Sequence, residues 1–324
     1  MRVLVTGGAG YIGSVITAQL LAEGHEAVVV DDLSTGHADA VPQGAEFHQL
    51  PITALDQAIG DWGIEAAIHL AARSLVGESV AEPSMYWRNN VIGTVAMLDS
   101  LHAFGVDRIV FSSSASVYGQ PDRQPIAEDA ATGPTSPYGS TKLAIDLALT
   151  DYAHSYAMTA VSLRYFNVAG ALRATSGHWF GERHTTETHL IPNALRAAGG
   201  TGEALSLFGT DYPTDDGTGV RDYVHVVDLA AAHVSALTAG APGEHHVVNL
   251  GSGTGCSVRQ VLDTVREVTG RDVPVIEVGR RAGDPPVLIA SNIRASELLG
   301  WAPERDLTQI VSDAWDFEQS RTPA

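Results

Sequence analysis

The stretch Val5-Thr6-Gly7-Gly8-Ala9-Gly10-Tyr11-Ile12-Gly13-Ser14 decides the fold. The apolar run Arg2 to Thr6 leads into it and reads as a buried strand. Helical apolar spacing continues from about Gly13 to Glu23, and Gly24 stands where a helix C-terminal glycine is expected. Between them the glycines fall as G-x-x-G-x-x-G at Gly7, Gly10 and Gly13. Glycine opens backbone angles closed to other residues and lets the chain approach a pyrophosphate, which the free amides of the following helix then face. A tight strand-to-helix connection would need no such ligand. Here strand, turn, helix and a second strand at Ala27 to Val30 follow in order, the arrangement of a dinucleotide site. Asp31 ends that second strand and Asp32 follows. A carboxylate there accepts from adenosine-ribose hydroxyls and repels the extra phosphate of NADP. No arginine occurs among residues 31–36, so the residues favour NAD.

Outward from this unit, runs at 45–50, 66–71, 108–112 and 160–165 read as strands, and 89–103 and 138–156 as helices. The alternation argues for a parallel sheet covered on both faces. After Asn167 the texture changes. Segment 173–189 is polar with several histidines, and 209–222 is nearly all turn formers. A strand and helix follow over 223–237, a short strand at 247–250, and a helix at 257–269 with Ser257 as its cap. Another strand is expected at 274–278, then an Arg/Gly/Pro loop at 279–287 and helices near 291–299 and 306–318. The expected fold class is α/β: a Rossmann-type parallel sheet with helices on both faces, and a smaller mixed α/β substrate-binding domain. The expected division is 1–168, completed by 222–248, for NAD, with 169–221 and 249–324 for substrate.

The 324 residues suit about two domains, at roughly 150 residues each. Lys and Arg total 19 against 38 Asp and Glu, a formal net charge of −19, which opposes nonspecific binding to nucleic acid or an anionic membrane. A few local arginines can still hold an anionic small ligand. The single cysteine, Cys256, can form no internal disulfide and reads as a buried or half-buried side chain. The first apolar run is too short for a signal-peptide core and no stretch reaches membrane-helix length, so a cytoplasmic chain is expected.

The chemistry lies in two places. Ser112, Ser113 and Ser114 follow a strand, at the sheet end where ligands bind in this fold class. In S136-P-Y138-G-S-T-K142 the helical i, i+4 spacing stacks Tyr138 and Lys142 on one face. A phenol titrates near 10; a neighbouring ammonium and an oxidised nicotinamide ring are expected to bring Tyr138 into range as a general base. Ser114 would hold the substrate oxygen, and Lys142 also fits a hydrogen bond to the nicotinamide ribose. Alone, such a Tyr–Lys pair is usually a helix-surface pair; after the glycine turn and serine cluster it reads as hydride-transfer machinery. Within the run of His178, His184 and His189, the set His184, Glu187 and His189 does not form the H-E-x-x-H pattern, so hydrogen bonding or phosphate contact is expected there and no metal. His225 and the tryptophans Trp62, Trp87, Trp301 and Trp315 read as packing residues.

The chain resembles the extended short-chain dehydrogenase/reductase family and, more narrowly, its UDP-hexose 4-epimerase branch. The resemblance rests on VTGGAGYIGS (5–14), VGES (76–79), NNVIGT (89–94), FSSSASVYG (111–119), SPYGSTK (136–142), LRYFNVAG (163–170), ETHLIP (187–192), DYPTDDGTGVRDYVHV (211–226) and RRAGDPP (280–286). It implies Ser114, Tyr138 and Lys142 as the catalytic residues. It implies cofactor contacts from Gly7, Gly10, Tyr11, Ile12, Gly13, Asp31, Asp32, Ala71, Ala72, Arg73, Asn89 and Tyr165. On the substrate side it implies Asn167 near the diphosphate, His189 and Leu190 against the nucleotide-sugar, and Phe208 and Val258 around uracil and ribose. Arg221 and Arg281 would meet the diphosphate, Asp284 the uridine ribose, and Tyr223 belongs to the same motif.

The implied activity is reversible C4 epimerisation of a UDP-hexose, with NAD retained and a homodimeric assembly. Two positions depart from the pattern. Pro51 replaces an aspartate that meets the adenine, and Arg73 stands where many relatives carry lysine. Sugar-nucleotide dehydratases resemble T-D-E at 114–116. Ser114, Ala115 and Ser116 offer no carboxylate, which argues against elimination. Epimerisation of another nucleotide-sugar, net oxidation, or a nucleotide-binding module without catalysis stays open on the residues alone. Leu288 is placed by the resemblance beside the sugar C2 substituent. Leucine's intermediate size implies UDP-glucose and UDP-galactose as the preferred pair, with weaker action on N-acetylated sugars.

Overall fold

The computed structural model describes residues 1–57, 59–281 and 283–321. Six strands in chain order, β1 (Arg2–Thr6), β2 (Glu26–Asp31), β3 (Glu46–Gln49), β4 (Ala66–His69), β5 (Arg108–Ser112) and β6 (Thr159–Tyr165), join His245–Leu250 in one seven-stranded parallel sheet. The order across it is His245–Leu250, β6, β5, β4, β1, β2, β3. β1 pairs with β2 on one side and β4 on the other, so the sheet's connections diverge there and open a crevice at the carboxyl ends.

Both faces are dry. Successive strand side chains point to opposite faces. Val3, Val5 and Val29 meet Val15, Ile16 and Leu20 of helix Tyr11–Ala22. Leu4, Val28 and Val30 fall on the other side with Met97, Leu101 and Ile145. This is why the strands read as continuous apolar runs rather than alternating ones.

A second assembly is organised by strand Val220–His225. It pairs antiparallel with Gly255–Ser257 and parallel with both Val287–Leu288 and Asn167–Ala169. Leu205–Phe208 pairs separately with Val275–Val278. Helices Leu190–Gly199, Val258–Thr269 and Leu307–Arg321 enclose Ile191, Leu195, Val261, Val265, Ile310 and Val311. Ser257 caps its helix in a reciprocal capping box with Gln260.

Several elements differ from the sequence reading. The helix expected at 89–103 begins earlier, with Pro83–Tyr86, a wide π turn at Trp87–Ile92 and then Gly93–Ala103. Proline suits a helix's first turn, a start signal that the apolar spacing hid. Helix Leu190–Gly199 and strand Leu205–Phe208 were not read at all, because Pro192 and the polar segment before it masked the periodicity. Trp301 is buried as expected, but Trp87 is 42% exposed and does not support the core.

Candidate functional site

The nucleotide end is a cradle without side chains. Gly7 adopts φ +74°, and a Cβ on it would come within 2.7 Å of the Ala71 amide nitrogen. On Gly13 a Cβ would lie 2.2 Å from the Gly7 carbonyl oxygen, so no other residue fits. Gly10 caps helix Tyr11–Ala22 with no side chain in the way of its first amides. These features fit a pyrophosphate on the helix N-terminus. Ile12 is half-buried in the first turn, and Tyr11 donates its hydroxyl to the Gly170 carbonyl at 2.6 Å.

Asp31 is buried beside the turn and accepts from the amides of Ala9 (3.0 Å) and Leu33 (2.8 Å). Burial pushes its carboxyl up, and those two amides pull against the rise. Asp32 is exposed and accepts from the Ser34 amide, so it stands outside this arrangement. Pro51 is exposed and starts a turn by accepting from the Ala54 amide at 3.0 Å.

Ala71, Ala72 and Arg73 follow β4 into the crevice and are half-buried. The residue that fixes them is Asn90. Its carbonyl oxygen accepts from the Arg73 amide (2.8 Å), while its amide group donates to the Arg73 carbonyl and to Thr141 Oγ1. Asn89 is half-buried and donates to Asn90 Oδ1. The doublet signalled an asparagine, but spacing alone could not tell which of the two is the clamp. His69, also missed, is held between Thr6 Oγ1 (2.7 Å) and Thr94 Oγ1 (2.8 Å). Burial, then Lys142, pulls it down to about 3, so it is neutral.

The catalytic candidates converge where β5 meets helix Pro137–Tyr156. Lys142 is buried and donates to the Ser112 carbonyl at 2.6 Å. Ser112 Oγ is in close contact with the Tyr165 hydroxyl. Lys142 Nζ lies 5.8 Å from the Tyr138 ring centroid. Ser114 Oγ accepts from the Ser116 amide at 3.1 Å and turns the chain after β5.

Burial governs both titrating groups of this pair. Burial raises Tyr138 above its usual 10, opposed only by the Ser114 hydroxyl. Burial also pulls Lys142 down to about 7, with Asp146 opposing. Lys142 Nζ, 5.8 Å from the Tyr138 ring centroid and with its charge disfavoured by burial, does not offset the rise at Tyr138. Activation needs a further positive charge in the crevice.

The substrate candidates are assembled by register. On Val220–His225, Tyr223 lies beside Asn167, and Arg221 is flanked by Cys256 and Leu288. Arg221 forms an ion pair with Asp284, and Val258 donates its amide to the Gly219 carbonyl at 3.1 Å. The Arg281 guanidinium lies 3.9 Å over the Phe208 ring. Leu288 packs against Val117, Tyr118 and Ile126, on the segment that continues from Ser114. Gln120 and Gln124 tie that segment to Gly283, Val287 and Ile289. Catalytic and substrate candidates thus share one wall.

His189 and Leu190 open helix Leu190–Gly199 instead. His189 Nδ1 faces Glu182 and Glu187. Burial opposes it, but those carboxylates push His189 up to about 10. Glu182 and then Glu187 raise His184 to about 9. The sequence reading set Glu187 beside His184 and His189 but did not count Glu182 and Glu187 as one group with them. Their signal was the spacing E182-x-H184-x-x-E187-x-H189.

The model of the NAD dependent epimerase/dehydratase family matches residues 3–251. A UDP-glucose 4-epimerase of Corynebacterium glutamicum is 51% identical over 98% of this chain and 95% of its own length. One from Streptomyces lividans is 49% identical over 98% and 96%. Among solved structures, UDP-glucose 4-epimerase from Brucella ovis in complex with NAD superposes with a TM-score of 0.93 at 44% identity, covering 98% of each chain. That from Bifidobacterium longum in complex with NAD+ and UDP gives 0.92 at 33% identity, covering 99% of each chain.

Proposed function

The chain belongs to the NAD dependent epimerase/dehydratase family, and from that premise we propose how its own residues carry out the reversible C4 epimerisation of a UDP-hexose. It is an NAD-dependent sugar-nucleotide 4-epimerase. The Gly7–Gly13 turn would hold NAD with Asp31 at its ribose, and the bound cofactor would supply reversible hydride removal and return at C4 of the sugar. Tyr138 takes the proton of the 4′-hydroxyl and returns it after the sugar has turned over. Ser114 holds the reacting oxygen, and Lys142 carries charge toward the cofactor ribose once that ligand competes with the Ser112 carbonyl. Arg221 and Arg281 hold the diphosphate, with Asn167 beside them, Asp284 at the uridine ribose, and Phe208 and Val258 at the base. His189 and Leu190 line the sugar-nucleotide side, Tyr223 supports Arg221, and Leu288 faces the sugar.

One observation carries the reading: Leu288, aligned with Arg221 in the substrate sheet, packs on the segment that leaves Ser114. A nucleotide anchored at Arg221 therefore presents its sugar to the serine and tyrosine. UDP-glucose and UDP-galactose are the preferred pair. A panel of UDP-sugars, scored for the epimeric product while absorbance of bound NADH is followed, tests this. Product without NADH in solution is expected. NADH accumulating in step with product would make the enzyme a net dehydrogenase.

The same proposal assigns 1–168 and 222–248 to NAD, and 169–221 with 249–324 to substrate. Helix Ile293–Leu299 packs back on strand His245–Leu250 and so joins the two. Val76, Val80, Trp87, Ile92 and Leu147 are exposed on helical segments 76–92 and 137–156, which pack together. This is the apolar face on which a homodimer would form, and the solution mass tests it. No helix among the described residues is long and apolar enough to cross a membrane, and a cytoplasmic location belongs to the proposal.

A further inference from the structure

Segment 181–189 gathers donors that take no part in the hydride and proton transfers at C4. Glu182, His184, Glu187 and His189 each bring one possible ligand atom within 4.8 Å of the others. His184 Nδ1 lies 3.0 Å from Glu182 Oε1 and 3.7 Å from Glu187 Oε2, and His189 Nδ1 lies 3.2 Å from Glu187 Oε1. Four ligands around a tetrahedral ion with bonds near 2.0–2.2 Å are spaced about 3.3–3.6 Å apart.

A second observation points to a missing ligand. The Glu187 side chain is 2% exposed, yet its Oε2 has no hydrogen-bond partner. His184 Nδ1 is buried beside it and, despite the nearby carboxylates, also lacks a hydrogen bond. Buried polar atoms without a hydrogen bond are costly, and these two stand 3.7 Å apart, in ion-pair contact but beyond hydrogen-bond reach.

We propose that Glu182, His184, Glu187 and His189 form a binding site for a divalent transition-metal ion, zinc by the character of its donors. Two imidazoles and two carboxylates suit zinc better than magnesium or calcium, which favour all-oxygen shells. Four protein ligands leave no open position, so the ion is structural rather than catalytic. The donors lie on a loop, as E-x-H-x-x-E-x-H, a spacing other than H-E-x-x-H.

The ion has a mechanical task. Arg183 makes a two-pronged ion pair with Asp39 at 2.8 Å, and its carbonyl contacts His37 Nε2 at 3.0 Å. His189 is the cap residue of helix Leu190–Gly199. Metal between these points pins the substrate-side helix to the loop beyond Asp31. This inference does not depend on which sugar the enzyme accepts.

The test uses the NAD-loaded enzyme, dialysed against zinc and passed over a chelating resin. Elemental analysis should find about one zinc per chain. Zinc affinity should fall by at least about 100-fold in Glu187→Gln and in His184→Asn. Zinc restored after EDTA should raise the Tm of the parent enzyme and not that of either variant. If a variant does not fold, the parent's own EDTA and zinc titration decides. A parent enzyme that takes up no zinc, and whose Tm moves with neither EDTA nor zinc, overturns the site and leaves an ion-paired histidine–glutamate cluster.

Discussion

At the nucleotide end, Gly7, Gly10 and Gly13 lie within one turn, and the site is made by backbone that approaches because no side chain intervenes. At the sugar end, Asn167, Arg221, Val258 and Leu288 come from segments far apart in the chain, brought together by their register on strand Val220–His225. The first region writes its function locally. The second writes it in strand pairing, which no window of sequence displays. Damage at one end should therefore spare the other, and the chemistry should need both.

The largest loss is expected where the ends meet. Tyr138→Phe keeps the ring, so the variant should fold and retain NAD, while turnover falls by roughly 10²- to 10⁴-fold. Burial holds the Tyr138 phenol above 10, so ionisation is the scarce event. The parent's kcat/KM should rise on the alkaline side, and the variant's residual rate should lose that rise. A folded variant with near-parental turnover would remove Tyr138 from its role.

Gly13→Ala attacks the nucleotide end alone. The added Cβ would meet the Gly7 carbonyl oxygen at 2.2 Å, so the turn must open. Overpacking of this kind costs about 1–3 kcal/mol. Bound NAD should be lost on purification, while binding of UDP by calorimetry persists. Loss of both together would deny that the ends are separable.

Arg221→Met is the converse at the sugar end. A charge-assisted contact to the diphosphate is worth about 1.5–3 kcal/mol, so KM for the UDP-sugar should rise roughly 10- to 100-fold with NAD content unchanged. An unchanged KM would move the diphosphate away from Val220–His225.

Leu288 should give the smallest effect. Leu288→Tyr should depress any activity on N-acetylated sugars more than on glucose, and Leu288→Ala should favour the larger substrate. The ratio of specificity constants should move by roughly tenfold, the scale of small pocket changes. A ratio unmoved by both would show that Leu288 is not the wall.

Legibility followed the same division. The seven parallel strands, the glycine turn, Asp31, the Ser–Tyr–Lys set and the Ser257 cap were readable, because each depends on near neighbours in sequence. The Arg221 and Asp284 ion pair, the stacking of Arg281 on Phe208 and the packing of Leu288 beyond Ser114 were not, because they depend on pairing between remote segments. The resemblance named those residues without explaining how they meet. The sequence shows His184, Glu187 and His189 without H-E-x-x-H spacing, and only the folded loop brings Glu182 in among them. The state of Tyr138 and Lys142 escaped because spacing fixes which residues share a face, while burial fixes their protonation.

The two ends act on one sugar only if the hydride taken from C4 comes back to the same molecule. UDP-galactose carrying deuterium at C4 should be turned over in the presence of excess unlabelled NADH, and the UDP-glucose formed should be examined by mass spectrometry and NMR. Deuterium kept at C4 of the product, with no labelled NADH in solution, is the expected result. Product that has lost its deuterium to the soluble NADH pool would contradict a closed site joining the nucleotide end to the sugar end.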